Sequence, residues 1–299
     1  MPASKKFPLL AFSILLLGGV ATGFNGIFMR LSDVSPLASA FWRFALALPF
    51  LWAWALWVQE RDIRERRRIK LSKGLLLTGF YFATNVGFFH MSLKYTTVSD
   101  SSLLLNFSPV FIALWMWKIH HTRFAPIFLV GMGMALFGAT LLIGPNAAVS
   151  MSRLLGDCLA LCAAVLYGAY QLLVKASRVR YSSARLMAWA TTVSALTILP
   201  MALLAPGKFW PEELLNWAPL LGLTLIVQIL GQATIAWASA HLPAALSSVS
   251  LAVMPLTATI AAWWLFDERL GPLQLIGGFL LLLGIFLSTR GYHHHNPPG

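Results

Sequence analysis

Residues 244–290 read AALSSVSLAVMPLTATIAAWWLFDERLGPLQLIGGFLLLLGIFLSTR, and they repeat the stretch 98–144 at an offset of 146 residues. The matched pairs are Ser101 and Ser247, Ser102 and Ser248, Pro109 and Pro255, Trp117 and Trp263, Arg123 and Arg269, Pro126 and Pro272, Gly131 and Gly277, and Gly138 and Gly284. An offset of 145 similarly aligns Gly23 with Gly168 and Arg30 with Lys175. Apolar helices match by chance at leucine and alanine, but not at proline, tryptophan, arginine and glycine together. The chain is therefore made of two related halves.

The composition places these halves in a membrane. Of the 299 residues, 58% are hydrophobic and 11% are charged, and the mean hydropathy is +0.74. Soluble domains contain about 45–50% apolar and about 25% charged residues. A helix needs about 20 apolar residues to cross a bilayer. Ten runs meet that length: 9–29, 36–58, 74–93, 97–117, 124–143, 154–174, 183–204, 214–237, 244–265 and 271–289.

The basic residues predict an orientation. With ten spans and a cytoplasmic N-terminus, the inner connections collect 16 of the 22 Lys and Arg residues and the outer connections collect five. The remaining one, Arg43, lies inside the second span. Cytoplasmic loops are enriched in Lys and Arg. We therefore expect both termini in the cytoplasm.

Five spans in each half require the second half to cross the membrane in the opposite direction. We expect an all-α membrane protein with ten transmembrane helices, arranged as two inverted five-helix repeats around a central cavity. The predicted units are residues 1–147, residues 148–290 and a flexible tail at 291–299. Inverted repeats are typical of transporters, whose substrate site lies at the repeat interface near the midplane.

Other function classes fit the sequence less well. The net charge of +12 is concentrated between apolar runs, unlike the basic face of a nucleic-acid-binding protein. An intramembrane enzyme needs a convergent catalytic set, and a channel needs charged rings or a backbone filter. We interpret Cys158 and Cys162 as small apolar residues. We interpret the histidines at 293–295 as part of a frayed terminus. We expect no catalytic residue, metal, cofactor or nucleic-acid partner.

Specific residues carry a family resemblance. Residues 244–290 resemble the signature of EamA-type domains through Ser247-Ser248, Pro255, the run WWLFDERL at 263–270, Pro272 and the glycines at 277, 278 and 284. Residues 97–143 resemble it more weakly, because HHTR stands at 120–123 where Gly-Glu-Arg is expected. FWRF at 41–44 is similar to the arginine motif of the second span, and Gly156-Asp157 to the start of a second domain. These domains occur in tandem in the drug/metabolite transporter superfamily.

The resemblance covers residues 9–290 and implies a function. It implies a bacterial inner-membrane exporter of amino acids, aromatic and other apolar ones, working by alternating access. Export of other small metabolites or drugs, or a lipid-carrier flippase of the same superfamily, is the alternative. The expected partners are a small-molecule substrate and membrane lipids, and a monomer is compatible with the sequence. The direction of transport rests on the resemblance alone.

Polar residues inside the spans are the candidates for a substrate cavity, since they are expensive in a membrane and often functional. We expect Tyr81, Tyr167 and Tyr170 to pack against a substrate ring. Asn85, Gln228 and Gln232 are assigned to its amino or carboxyl group. Hydrogen bonding between helices explains any one of them equally well. The full set is Asn25, Tyr81, Asn85, Ser102, Asn106, Tyr167, Tyr170, Gln171, Gln228 and Gln232.

Five further residues are candidates for gating or structure. Arg43 either attracts a substrate carboxylate, or snorkels or bonds to backbone carbonyls. Capping of the sixth span and compensation of its dipole explain Asp157 more simply than a proton relay does. Pro109 and Pro255 occupy equivalent positions, where each half can bend. Glu268 is expected at the outer interface, where a gating pair or plain solvation would explain it. All ten carboxylates lie in loops or near span ends, so we expect transport driven by the substrate gradient, with His90 the remaining titratable candidate.

Overall fold

The computed structural model describes residues 8–61, 72–92, 95, 101, 104–143, 151–266 and 271–295. All regular structure within these ranges is helical. Two predicted site residues, Ser102 and Glu268, lie outside the described residues. The expectation of an all-helical protein is thus confirmed for the described residues.

In the described part of the first half, six helices have defined bounds. The first span is broken at Phe24 into two helices that lie end to end. The helices are α1 (Leu9–Gly23), α2 (Asn25–Leu31), α3 (Pro36–Arg61), α4 (Lys73–Ser92), α5 (Ser108–His120) and α6 (Pro126–Ile143).

The described part of the second half has seven α-helices and a π-helix. They are α7 (Met151–Arg178), α8 (Ser183–Leu204), α9 (Trp217–Gly222), the π-helix Leu223–Gln232, α10 (Ala233–Ala238), α11 (Ala244–Ser250), α12 (Val253–Phe266) and α13 (Pro272–His295). A short 3-10 turn, Leu214–Asn216, precedes α9. The last helix thus extends into the segment that the sequence assigned to a flexible tail.

Seven helical segments of the described chain are long and apolar enough to cross a membrane. They are Leu9–Leu31, Pro36–Val58, Leu154–Arg178, Ser183–Leu204, Leu214–Ala238, Ala244–Leu265 and Pro272–Gly291. The three other predicted spans correspond to α4, which carries the polar residues Asn85 and His90, and to the shorter helices α5 and α6. The count of ten spans stays a prediction.

The outer surface is apolar over most helices. Leu10, Phe279 and Trp264 are 70%, 66% and 74% exposed. Apolar surface of this extent is unusual on a soluble monomer. A bilayer covers such side chains, so the exposed face agrees with the composition.

Glycines let α6 and α13 approach closely. A Cβ atom on Gly131 would lie 2.7 Å from the carbonyl oxygen of Gly284, and one on Gly138 would lie 2.6 Å from that of Gly277. Gly131 and Gly138 are the repeat equivalents of Gly277 and Gly284. The contact therefore maps onto itself when the two halves are exchanged, as in a two-fold interface. Residue numbers rise along one helix and fall along the other, so the helices are antiparallel.

A second glycine contact recurs in both halves. A Cβ atom on Gly23 would lie 2.6 Å from Cβ of Thr257, and one on Gly168 would lie 3.9 Å from Cβ of Phe111. Gly168 and Phe111 are the repeat equivalents of Gly23 and Thr257. The relation between the halves thus extends from sequence to helix packing. Inversion across a membrane remains a prediction.

The loop after α8 is hydrogen-bonded to residues at the start of α3. The backbone N–H of Ser35 donates to the carbonyl oxygen of Lys208 at 2.8 Å, and Trp42 Nε1 donates to that of Phe209 at 2.8 Å. Exposed Lys208 and Glu212 form an ion pair at 2.7 Å, and this hydrogen bond raises the pKa of Lys208. The loop is therefore held mainly through its backbone.

Lys175 of α7 forms hydrogen bonds with the turn that follows α10. Its Nζ donates to the carbonyl oxygen of Ser239 at 3.3 Å and to that of Leu242. Carbonyl groups at the end of a helix have no partner within the helix, and they attract cations. The ammonium group thus links α7 to the turn that follows α10.

Candidate functional site at two matched helix breaks

Two spans are interrupted at equivalent points. A turn at Asn106–Phe107 precedes α5, and a turn at Leu251–Ala252 separates α11 from α12. Pro109 and Pro255 follow these turns. Proline has no N–H to donate to the carbonyl four residues before it, so a helix is weakened there. The sequence placed a bend at each proline, and the structure has a break just before each.

A cavity lies between these breaks. It is a small, partly open pocket of about 30 Å³, which is about the volume of one water molecule. Each half contributes the same three positions, and Pro109, Tyr167 and Ser248 complete the lining. The three equivalent pairs are Leu105 and Leu251, Asn106 and Ala252, and Ser108 and Met254. The cavity therefore lies on the axis that relates the two halves.

An aromatic stack runs from the cavity wall into the protein. Tyr167 lines the cavity and stacks on Tyr170, with 5.9 Å between ring centroids. Tyr170 stacks in turn on Phe82, with centroids 4.5 Å apart, and its hydroxyl donates to Gln232 Oε1 at 3.2 Å. The hydroxyl of Tyr167 is buried and has no hydrogen-bond partner. A buried unpaired polar group is unfavourable, so a bound molecule at this wall could satisfy it.

Arg43 is the centre of a hydrogen-bond network behind that stack. Its Nε donates to Gln228 Oε1 at 2.9 Å and its Nη1 to Asn25 Oδ1 at 3.1 Å. Gln228 Nε2 then donates to Thr191 Oγ1 at 3.0 Å. The network joins four spans through one buried guanidinium group.

The charge of Arg43 has no opposite charge beside it. Its partners are neutral amides, and its guanidinium carbon lies 5.6 Å and 5.7 Å from the ring centroids of Phe44 and Phe82. It also interacts electrostatically with the phenols of Tyr167 and Tyr170. Within the described ranges no carboxylate pairs with it. The guanidinium charge therefore lies behind the aromatic stack, without a carboxylate partner among the described residues.

Gln228 and Gln232 both lie on the π-helix Leu223–Gln232. Both side chains are buried, and they face Arg43 and Tyr170 respectively. π-Helical turns are rare and frequently occur at functional sites. The unusual winding thus presents two amides to the centre of the protein.

Only some of the remaining predicted residues lie at the cavity. Asn106 lines the cavity, and Gln171 is buried one turn beyond Tyr167 with its Nε2 unpaired. Asn85 Nδ2 donates to the backbone carbonyl of Ala163 at 2.7 Å, which is a contact between helices. Tyr81 packs beside Phe80 and is not among the cavity residues.

The expected helix cap at Asp157 is wrong. Helix α7 begins at Met151, so Asp157 lies in its second turn. An N-cap residue must stand at the helix boundary to reach the free N–H groups. The sequence of residues 151–156 suggested a loop, but these residues form the beginning of α7. One carboxylate oxygen of Asp157 is buried without a partner.

Sequence reasoning missed Thr191 and Phe82. Thr191 accepts the bond from Gln228, and Phe82 continues the tyrosine stack. Threonine is common in membrane helices, where it often bonds to its own backbone, and phenylalanine is common everywhere in this chain. The adjacent pair Thr191-Thr192 in an apolar run was the one available signal.

Comparison with known proteins agrees with this architecture. The model of the EamA-like transporter family matches residues 9–144 and 154–290. An uncharacterized transporter of Archaeoglobus fulgidus is 29% identical over 97% of this chain and 99% of its own length. A probable terminal-alkyne amino-acid exporter of Streptantibioticus cattleyicolor is 25% identical over 79% of this chain and 77% of its own length.

A solved crystal structure has the same fold. It covers 96% of this chain and 99% of its own, with a TM-score of 0.80 and 17% sequence identity. At that identity the likeness concerns the fold alone.

Proposed function

Because this chain belongs to the EamA-like transporter family, we propose that it exports amino acids with aromatic or other apolar side chains by alternating access. The proposed location is a bacterial inner membrane, with both termini in the cytoplasm and the monomer as the working unit. The similarity to a probable amino-acid exporter supports the substrate class. The basic inner connections support the orientation.

The observation that carries the proposal is the cavity between the matched helix breaks. Transporters with inverted repeats form their substrate sites at the repeat interface, typically from discontinuous helices. Leu105 and Leu251, which are repeat equivalents, face the same space. Exchanging the conformations of the two halves would then open this space first to one side and then to the other.

Within this site each group has a proposed role. The rings of Tyr167 and Tyr170 pack against an apolar substrate side chain. Asn106 and Gln232 offer hydrogen bonds to its polar end, while Arg43 and Gln228 hold the surrounding helices. Pro109 and Pro255 are hinges that let each half bend at the break. At about 30 Å³ the cavity is far smaller than the roughly 300–1,000 Å³ of small-molecule sites, so the halves must part when a substrate enters.

Uptake into liposomes tests this function. Purified protein in liposomes should give saturable uptake of labelled phenylalanine or tryptophan, above that of liposomes without protein. Tyr167→Phe removes the unpaired hydroxyl at the cavity wall and should lower uptake about tenfold, because the substrate loses a buried hydrogen bond. Tyr95→Phe is the matched control, since it removes a hydroxyl from a 40% exposed side chain. Uptake of no amino acid above the empty liposomes would refute the proposal.

A pH gradient tests how transport is driven. The sequence predicts each carboxylate in a loop or near a span end, where it would be poorly placed to carry a proton across the midplane. Phenylalanine should therefore equilibrate across the liposome membrane and not accumulate when a pH gradient is imposed. Accumulation would show proton coupling and would direct attention to His90, which is buried in α4.

A further inference from the structure

We infer that the substrate binds in one orientation, with its apolar side chain against α12 and its charged end toward α5, and that Met254 determines which side chains the site prefers. The inference rests on the proposed function and adds the residue that sets the preference for large or small side chains. Three observations support it: the unequal walls of the cavity, the place of its free hydrogen-bond donor, and the packing behind Met254.

The two walls of the cavity differ in chemistry at equivalent positions. The first half contributes Asn106 and Ser108, and the second half contributes Ala252 and Met254 at the matching places. The amino and carboxyl groups of an amino acid need hydrogen-bond partners once water is removed from them. An apolar side chain gains free energy when it leaves water for apolar surroundings. The favourable orientation therefore directs the charged end of the substrate to the polar wall and the side chain to the apolar wall.

The unpaired hydroxyl of Tyr167 lies on the polar side. Tyr167 belongs to α7, which packs on α5, since a Cβ atom on Gly168 would lie 3.5 Å from the carbonyl oxygen of Ser108. On the opposite wall, the hydroxyl of Ser248 donates to the carbonyl oxygen of Ala245 at 2.9 Å, within α11. A hydroxyl has one proton to donate, so Ser248 has none left for a carboxylate. The free donor thus favours a carboxylate on the side of α5.

Met254 separates the cavity from α1. It lines the cavity and also packs against an apolar cluster of neighbouring helices that includes Leu15 and Ile235. On α1 it lies beside Gly19, where an added Cβ atom would be 4.0 Å from Met254 Cγ. Glycine has no side chain that could take the place of a shortened Met254. Shortening Met254 therefore extends the apolar side of the cavity toward α1, and a ring at this position fills it.

Methionine at this position suits rings as well as aliphatic chains. Its side chain is unbranched with three rotatable bonds, so it adapts to neighbours of different shape. Its sulfur also makes favourable contacts with aromatic rings. We therefore expect the unaltered site to accept both tryptophan and valine, and we expect variants of Met254 to prefer one of them.

The test measures how two amino acids of different size compete. Full-length protein in liposomes takes up labelled phenylalanine in the presence of unlabelled tryptophan or valine. The ratio of the two inhibition constants does not depend on the amount of folded protein. Met254→Ala should shift this ratio about tenfold toward tryptophan and Met254→Phe about tenfold toward valine, because a single methylene in an apolar pocket changes discrimination by about that factor or more. An unchanged ratio in both variants would overturn the inference.

Two further variants control for packing and for orientation. Met201→Ala shortens another half-buried methionine, whose Cε lies 3.1 Å from the Cβ position of Gly87 and which is not among the cavity residues. It should keep the ratio within about twofold, as expected for a site that does not touch the substrate. Ser108→Ala should weaken inhibition by tryptophan and valine alike, since it acts on the end that all amino acids share. A shift of the ratio in Ser108→Ala as large as in Met254→Ala would show that the orientation is wrong.

The outcomes separate this inference from the proposed function. If the unaltered protein takes up phenylalanine and the Met254 variants keep its ratio, the inference is wrong and the exporter proposal stands. If the unaltered protein takes up no amino acid, both are overturned. Should Met254→Ala not fold, Met254→Leu decides, because swaps of similar volume are tolerated best. Leucine is shorter than methionine, so the ratio should still move about fourfold toward tryptophan, and an unchanged ratio would overturn the inference.

Discussion

The two halves make the same helix contact with different chemistry. Asn85 of α4 donates to the carbonyl of Ala163 in α7, whereas its repeat equivalent Gly231 packs on α1, where its Cβ would lie 3.3 Å from the carbonyl oxygen of Gly18. Gly18 is itself the repeat equivalent of Ala163 at an offset of 145. The fold thus keeps the place where two helices meet. The contact is stabilised by a hydrogen bond in one half and by close backbone packing in the other.

The cavity shows the same divergence, with a consequence for binding. Asn106 and Ser108 of the first half are replaced by Ala252 and Met254 at the equivalent positions of the second. One wall is therefore polar and the opposite wall is apolar. Two related halves can form an asymmetric site only through such replacements, because a fully symmetric cavity would bind a substrate equally well in two orientations.

The close crossing of α6 and α13 should be the most sensitive contact. Gly284→Leu places a side chain where even a Cβ would lie 2.3 Å from the backbone nitrogen of Ala135, so the helices cannot stay in contact. We expect a loss of more than about 3 kcal/mol, beyond ordinary overpacking, and no monodisperse protein in size-exclusion chromatography. Gly133→Leu is the control, since no atom lies within 4 Å of its Cβ position. A well-folded Gly284→Leu variant would show that the crossing is not tight.

Gly23 and Gly168 test whether equivalent positions are equally tight. Gly23→Ala brings a Cβ to 2.6 Å from Thr257, whereas the nearest atom to a Cβ on Gly168 is 3.4 Å away. Gly23→Ala should destabilise by about 1–3 kcal/mol. Gly168→Ala should be neutral or stabilise by up to about 1 kcal/mol, because alanine favours helices. Thermal unfolding in detergent measures both, with Gly26→Ala as an unhindered reference. Equal effects would contradict the asymmetry.

Asn85→Ala should have a smaller effect. It removes the 2.7 Å bond to Ala163 and leaves the carbonyl with its own helix partner. Hydrogen bonds between membrane helices contribute about 0.6 kcal/mol on average and up to about 1.7 kcal/mol. Thr84→Ala is the neighbouring control, since its hydroxyl bonds only within its own helix. If substrate binding weakens more than thermal stability in Asn85→Ala, the asparagine contacts the substrate and not only α7.

The ion pair of Lys208 and Glu212 should have the smallest effect. The pKa of Lys208 is raised in the folded protein. The ion pair therefore stabilises the folded protein at pH values below the ordinary pKa of lysine. This stabilisation is lost as the pH rises through the pKa that Lys208 has in the folded protein. Both side chains are exposed, and exposed pairs are screened by solvent and salt. We expect Lys208→Met to leave the unfolding temperature unchanged at low and high salt. A clear drop would show that the loop depends on this pair and not on its backbone bonds.

Most features that depend on the internal repeat and on hydropathy could be predicted from the sequence. The family resemblance is confirmed, and the bends expected near Pro109 and Pro255 correspond to breaks in the helices because proline acts on its local backbone. Their role as hinges stays a prediction. The partners of Gln228 could not be foreseen, since Arg43 and Thr191 are distant in sequence and meet only through packing. The π-helix carries no residue signature. The start of α7 was misplaced because polar residues occur both in loops and in first helical turns.

The bond between Lys175 and the end of α10 imposes an order on the synthesis of this protein. Lys175 leaves the ribosome 64 residues before Ser239, its carbonyl partner. At about 5–20 residues per second, roughly 3–13 s pass before that carbonyl exists. Until then the ammonium group must remain with water or lipid headgroups, and α7 cannot settle at its final depth. The second half therefore completes its assembly only after the span containing Gln228 and Gln232 has been inserted.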